Sequence, residues 1–173
     1  SSGGTWSSSN SAIASIGSST GTVTGVAVGS ATITYTLPAG CFTTLPFTVN
    51  PLPANITGVT AVCQGLTTTL SDISSGGTWS SSNTLIATVG TGTGVVTGVT
   101  AGNATITYTL PTGCINTIPV TVNPLPTVYT ITGGGAYCSG GTGATVGLSG
   151  SQVGINYQLY VGGVSTGSPV AGT

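Results

Sequence analysis

Apolar and polar residues alternate through much of this chain. Ala104-Thr105-Ile106-Thr107-Tyr108-Thr109-Leu110 sets small or apolar side chains against threonines, residue by residue. A period of two places one set on a buried face and the other in solvent, the pattern of a half-buried strand. Val95-Val96-Thr97-Gly98-Val99 and Ile118-Pro119-Val120-Thr121-Val122 read the same way. Glycine-rich breaks such as Gly90-Thr91-Gly92-Thr93-Gly94 separate the runs, because glycine supplies the backbone conformations that turns need. The spacing predicts strands near 55–62, 66–71, 77–80, 85–89, 94–99, 103–110 and 115–122, and no segment carries a helical period.

These runs recur. Gly3-Gly4-Thr5-Trp6-Ser7-Ser8-Ser9-Asn10 returns as Gly76-Gly77-Thr78-Trp79-Ser80-Ser81-Ser82-Asn83, an offset of 73 residues. The run from Ala31 to Pro38 returns at Ala104 to Pro111, Cys41 at Cys114, and Asn50-Pro51-Leu52-Pro53 at Asn123-Pro124-Leu125-Pro126, all without a gap. After Pro126 the match loosens. Cys63-Gln64-Gly65 answers to Cys138-Ser139-Gly140 with two residues inserted, and the stretch Ile155-Asn156-Tyr157-Gln158-Leu159-Tyr160 has diverged. The chain therefore reads as a partial domain over 1–50 (strands C to G), a complete domain over 51–123, and the start of a divergent domain over 124–173. Seven short strands in about 70 residues, with frequent turns, fit an immunoglobulin-like sandwich. The expected fold class is all-β, with tandem immunoglobulin-like β-sandwich domains, one complete and two partial.

One family shares these motifs. Thr78-Trp79-Ser80-Ser81-Ser82-Asn83, then Ile86-Ala87-Thr88-Val89, Gly94-Val95-Val96-Thr97-Gly98-Val99 and Gly102-Asn103-Ala104-Thr105-Ile106-Thr107, resembles the bacterial immunoglobulin-like group 2 repeat. The resemblance covers residues 1–50 and 54–123, with several spaced motifs in the same order. The Val-Asn-Pro-Leu-Pro joints and Cys-x-Gly openings look like the tandem modules of very large secreted surface proteins, and residues 127–173 look like a companion module. The resemblance implies a secreted adhesin, stalk or surface filament, at the cell surface or in an extracellular fibre. It brings no catalytic residues.

Composition narrows function further. The chain has no Lys, Arg or His, and its single acid is Asp72, where an ordinary soluble domain is about a quarter charged. General acid–base catalysis needs groups that titrate near the working pH, and one carboxylate cannot form an acid/base pair. No enzyme activity is expected, and no catalytic residue is assigned. Binding nucleic acid requires cations to neutralise phosphates, and anionic membranes attract proteins in the same way; neither partner is expected. A calcium or magnesium site wants several carboxylates, so no metal and no cofactor is expected. No apolar run approaches the roughly 18–20 residues of a membrane helix, which argues against membrane insertion. The wealth of Val, Ile, Thr and Tyr separates the chain from disordered sequences. Its start shows no basic segment followed by an apolar core. Ser1-Ser2-Gly3-Gly4 instead falls inside the recurring motif, as expected of a mature or internal fragment.

Several residues invite a functional role and have a plainer one. Trp6 and Trp79 are read as core residues, the inward tryptophan of strand C, rather than as sugar-stacking platforms; burying such a ring contributes about 2–3 kcal/mol. Pro51, Pro53, Pro124 and Pro126 are read as stiffeners of the joints, because proline fixes φ, rather than as a ligand for a proline-binding module. Asn55-Ile56-Thr57 and Asn103-Ala104-Thr105 fit the Asn-x-Thr acceptor pattern, which arises readily by chance in a Thr-rich chain. The disulfide candidates are Cys41, Cys63, Cys114 and Cys138. No CxxC pair exists and no His can assist, which argues against metal, whereas disulfides suit a secreted chain. The obvious pair is Cys63–Cys114, whose closure would stabilise by roughly 4 kcal/mol in the chain-entropy model. In sandwich topology, however, Cys63 lies at the C-terminal pole and Cys114 at the opposite one, so each faces a neighbouring module and an inter-module or inter-chain bond is expected, with the intradomain pair kept as its close rival.

Sheet edges expose unpaired backbone groups, which soluble proteins usually guard with Lys or inward-pointing charge. This chain has no such guard. Copies of itself are the expected partners, end to end or laterally, with a filament as the outcome. Strand donation from one copy's tail into the next copy's head is a related expectation, beside the simpler one that residues 1–173 are part of a longer polypeptide. A glycan- or surface-binding adhesin module is the alternative function, with Tyr157 and Tyr160 as contact candidates. Two outcomes are expected from composition alone. Trypsin leaves even the urea-unfolded chain intact on a denaturing gel. Thermal stability stays flat from about pH 5 to pH 8, where almost no group present titrates.

Overall fold

The structure is a computed structural model and describes residues 3–173. Among the described residues every regular element is a strand, and the chain divides into two compact units, 1–123 and 124–173. The alternating Thr/apolar runs explain the choice of strands, since β-branched side chains fit a pleated, half-buried surface.

The first repeat contributes β1 (Thr5–Ser8), β2 (Ala14–Ile16), β3 (Val23–Gly25), β4 (Gly29–Thr36) and β5 (Phe42–Val49). The second contributes β6 (Thr57–Gly58), β7 (Ala61–Cys63), β8 (Thr67–Ser71), β9 (Thr78–Ser81), β10 (Ala87–Val89), β11 (Val95–Gly98), β12 (Gly102–Thr109) and β13 (Ile115–Asn123). In the second module one sheet runs β10-β11-β8-β6 and the other β7-β13-β12-β9. All pairs are antiparallel except β13 with β7, which run parallel. The apolar positions of the period-two runs meet between the sheets: Leu70, Val96, Ile106, Val120 and Val122 are almost fully buried. This is the immunoglobulin-like sandwich expected of a complete repeat.

The stretch 55–62, expected as one strand, is two. Thr57–Gly58 pairs with β8 in one sheet, and Ala61–Cys63 pairs with β13 in the other. Gly58, at a φ of 129°, lies in the region that favours glycine, and there the chain leaves one sheet for the other. A strand that changes sheets staples the two layers together.

Trp79 sits directly across from Tyr108, on β9 and β12, with ring centroids 4.7 Å apart and tilted by 46°. The Tyr108 hydroxyl donates to the Ser74 carbonyl at 2.6 Å and accepts from the Gly77 amide at 3.0 Å. On its other side the indole closes on Gly94, where φ is +68° and an added Cβ would lie 3.2 Å from the ring. Only glycine satisfies both demands at that position.

The first module repeats this geometry without the same cover. Trp6 and Tyr35 stack at 4.7 Å and 45°, yet Trp6 is half-buried where Trp79 is 6% exposed. Val23, Phe47 and Val49 are likewise half-buried, while their counterparts Val96, Val120 and Val122 are closed off. Ala14, Ala31 and Ile33 are as buried as Ala87, Ala104 and Ile106. The difference falls on the side that β6 to β8 cover in the second module, and residues 1–50 contain no counterpart of those strands. Trp79 thus lies in the core of the second module, and Trp6 is half-buried at the matching position of the first.

Residues 124–173 form two hairpins. β14 (Ile131–Gly133) pairs with β15 (Val146–Leu148), and β16 (Asn156–Val161) pairs with β17 (Val164–Ala171). Tyr129 and Tyr157 meet edge to face at 6.4 Å.

Trp79→Ala should lower stability by about 3–5 kcal/mol, as expected for a buried tryptophan, whereas Trp6→Ala should lower it by markedly less. Urea denaturation followed by circular dichroism measures both, and equal losses would contradict the unequal cover.

Candidate module joint and apolar groove

The joint between the first two modules is Asn50-Pro51-Leu52-Pro53. Leu52 is 73% exposed, while Pro53 is buried. The next residue is held from two sides. Ala54 donates its amide to the Ser74 Oγ at 2.9 Å, and its carbonyl accepts from Asn116 Nδ2 at 2.7 Å. Two prolines set the backbone of the linker, and the Ser74 and Asn116 side chains fix its exit onto the second module.

Asp72, the one acid, belongs to the same cluster. Its Oδ1 accepts from the Ser74 amide at 2.7 Å, an Asx turn that positions the Ser74 hydroxyl for Ala54. Its Oδ2 is buried without a partner. The carboxylate thus shapes the turn that receives the linker.

All four cysteines are free thiols in this structure. The intradomain Cys63–Cys114 pair is not formed, and the register gives the reason. Cys63, on β7, lies opposite Asn123 at the end of β13, whereas Cys114 precedes Ile115 at its beginning. The nine residues of β13 separate the two by roughly 31 Å at about 3.4 Å per residue. Bridged Cα atoms lie within about 7 Å. The Cys114 sulfur instead lies 4.0 Å from the Asn50 carbonyl oxygen, at the joint. Cys41 is exposed in the matching turn of the first module, and Cys138 is exposed ahead of β15.

The unit 124–173 carries an open apolar groove of about 720 Å³ between its two hairpins. Ile131 and Leu148 line one side, and Tyr157, Leu159, Tyr160 and Val170 the other. Tyr160 is 62% exposed, while the Tyr157 hydroxyl accepts from the Gln152 amide at 3.0 Å and so is engaged within the fold. The two tyrosines stood out in the sequence. Ile131, Leu148 and Val170 did not, because only strand pairing brings these scattered aliphatics to one face.

The family match agrees with the fold. Residues 1–49 and 46–114 match the bacterial Ig-like domain (group 2) family, and the chain belongs to that family. No curated protein matches the chain. Among solved structures, the S-layer protein SbsC domains 4 and 5 are 26% identical, covering 70% of each chain with a TM-score of 0.30. SbsC domains 1–6 are 21% identical at a TM-score of 0.31; the match covers 97% of this chain and 28% of that one. The C-terminal fragment of intimin, solved in complex with the intimin-binding domain of its translocated receptor, is 18% identical at a TM-score of 0.39. That match covers 75% of this chain and 53% of the fragment.

Asp72→Asn should leave thermal stability unchanged within about 0.5 kcal/mol, because the side-chain carbonyl retains the turn acceptor. Asp72→Ala should lose about 1 kcal/mol. A melting series that ranks Asn with Ala would assign the charge itself a role.

Proposed function

We propose that the chain is a structural segment of an extracellular surface fibre or adhesin stalk, secreted and non-enzymatic, whose modules associate through neutral β-sandwich faces. One observation carries the reading: two family modules run on in tandem within one compact unit, over surfaces whose only charge is that of Asp72. Surfaces without charge lack the repulsion that keeps soluble domains apart. Exposed apolar side chains such as Val26, Val28, Phe42 and Leu45, each more than 60% exposed, add area that gains from being covered. With one carboxylate and no Lys, Arg or His, the chain lacks the usual acid/base pair of general acid–base catalysis. Analytical sedimentation of the chain from about 10 mM to about 1 M salt, a range over which exposed charge pairs become fully screened, tests this. Association that persists or strengthens with salt supports a packing-driven interface. Dissociation by salt, or a monomer at every concentration, contradicts it.

A second reading has its own observation. The apolar groove beside exposed Tyr160 presents an aromatic face of the kind that stacks on sugar rings. In that reading the unit 124–173 contacts a glycan at a cell surface. A glycan array probed with the intact chain and with Tyr160→Ala tests it. Binding lost in the variant supports contact at the groove, and an empty array removes the reading.

A further inference from the structure

Two different cysteines come to the same residue of the repeat. At the end of the second module, Cys63 lies opposite Asn123 in the parallel pairing of β7 with β13. The amide of Gln64, the next residue, donates to the Asn123 carbonyl at 2.9 Å. At the start of the same module, the Cys114 sulfur lies 4.0 Å from the Asn50 carbonyl oxygen. Asn50 is the counterpart of Asn123 one repeat earlier. Overlaying the two ends through the repeat therefore brings two thiols to a single joint. The Cys63-type thiol of the preceding module and the Cys114-type thiol of the following module then flank one asparagine carbonyl.

The distances suit a bond. Paired strands lie about 4.8 Å apart, so the Cys63-type Cα is that close to the asparagine whose carbonyl the other sulfur approaches. A disulfide needs its Cα atoms within about 7 Å. Cys63 is exposed and Cys114 half-buried, so neither is locked in a core. Cys138 sits in the same local turn as Cys63: Gly141 donates to the Cys138 carbonyl at 3.0 Å, as Leu66 does to Cys63 at 3.0 Å.

We propose that successive modules of this repeat are joined by a disulfide from the Cys63 position of one module to the Cys114 position of the next. Cys114 pairs with the Cys63-type thiol of the module before it, and Cys41 holds the same position one repeat earlier. The oxidant is a disulfide, either of a small thiol such as glutathione or of a thiol–disulfide oxidoreductase. One cysteine thiolate attacks it and expels the first thiol; the second cysteine thiolate then attacks the mixed disulfide and expels the other. Two protein thiols become one disulfide as the oxidant's disulfide becomes two thiols. The bond ties the facing poles of two modules beside the Pro51–Pro53 linker and restrains bending there.

The test completes the first module. A copy of residues 51–73, marked by Thr60→Ser so that the chymotryptic peptide carrying its cysteine differs in mass from that of Cys63, is placed ahead of Ser1 in the full chain. This chain is refolded with reduced and oxidised glutathione, alkylated, digested with chymotrypsin and mapped by mass spectrometry without reduction. The expected map links the added cysteine to Cys114, with Cys41, Cys63 and Cys138 alkylated. A Cys63–Cys114 link, or alkyl groups on both the added cysteine and Cys114, overturns the proposal. Should the extended chain fail to fold, the same map of the natural polypeptide, isolated without reductant, decides. There a Cys114 peptide joined to the Cys63-type peptide of the preceding module upholds the pairing, and an alkylated or intramodule Cys114 overturns it.

Discussion

A β-sandwich holds only when both of its sheets close over the same apolar layer, and the rest of this structure depends on that closure. Each module has a long hairpin, β4–β5 or β12–β13, with a tryptophan strand beside it. In the second module, β8 lies next to β11 while β7 extends the opposite sheet along β13, so Val96, Val120, Val122 and Trp79 lose contact with water. The first module has the same hairpin and the same stacked Trp–Tyr pair, but residues 1–50 hold no strands on that side, and Trp6 stays half-buried. A buried indole gives a large share of a small domain's margin. Identical motifs thus carry different weights according to what lies over them.

That contrast also marks how far the sequence could be read. The repeat, the strand positions and the family were legible because they rest on local period and spaced motifs. Residues 102–109 show it best, with small or apolar residues facing inward between threonines. What local pattern could not show was pairing at a distance. The run at 55–62 looks like one strand, and its division between two sheets follows from which neighbour each half finds. Thr5-Trp6-Ser7-Ser8 and Thr78-Trp79-Ser80-Ser81 are identical, so nothing within them separates a half-buried indole from a buried one. The cysteines were legible as residues, and their poles followed from topology, but the approach of Cys114 to Asn50 needed coordinates. The groove beside Tyr160 collects aliphatics from strands far apart in the chain.

Function follows from how the closed modules meet each other and the solvent. The linker is set by proline and anchored through Ser74 and Asn116, while the sole carboxylate shapes the receiving turn. Elsewhere the surface is mainly Ser, Thr, Gly and exposed aliphatics, with exposed cysteines and Tyr160 among them, side chains that offer packing and hydrogen bonding. A surface of that kind is expected to respond little to pH and salt, because few groups on it carry or change charge. The same neutrality leaves sheet edges without the charges that normally discourage lateral pairing. Membership of the bacterial Ig-like group 2 family accounts for the tandem sandwich modules, and the stalk role is the proposal built on them.

Negative-stain electron microscopy of the protein isolated from its source, without reductant or denaturant, puts the structural role to the most direct test. Extended rods or continuous fibres with an axial period of one module, unchanged after washing in high salt, are the expected images. Compact, separate particles with no axial order, or fibres that dissolve in salt, would contradict it.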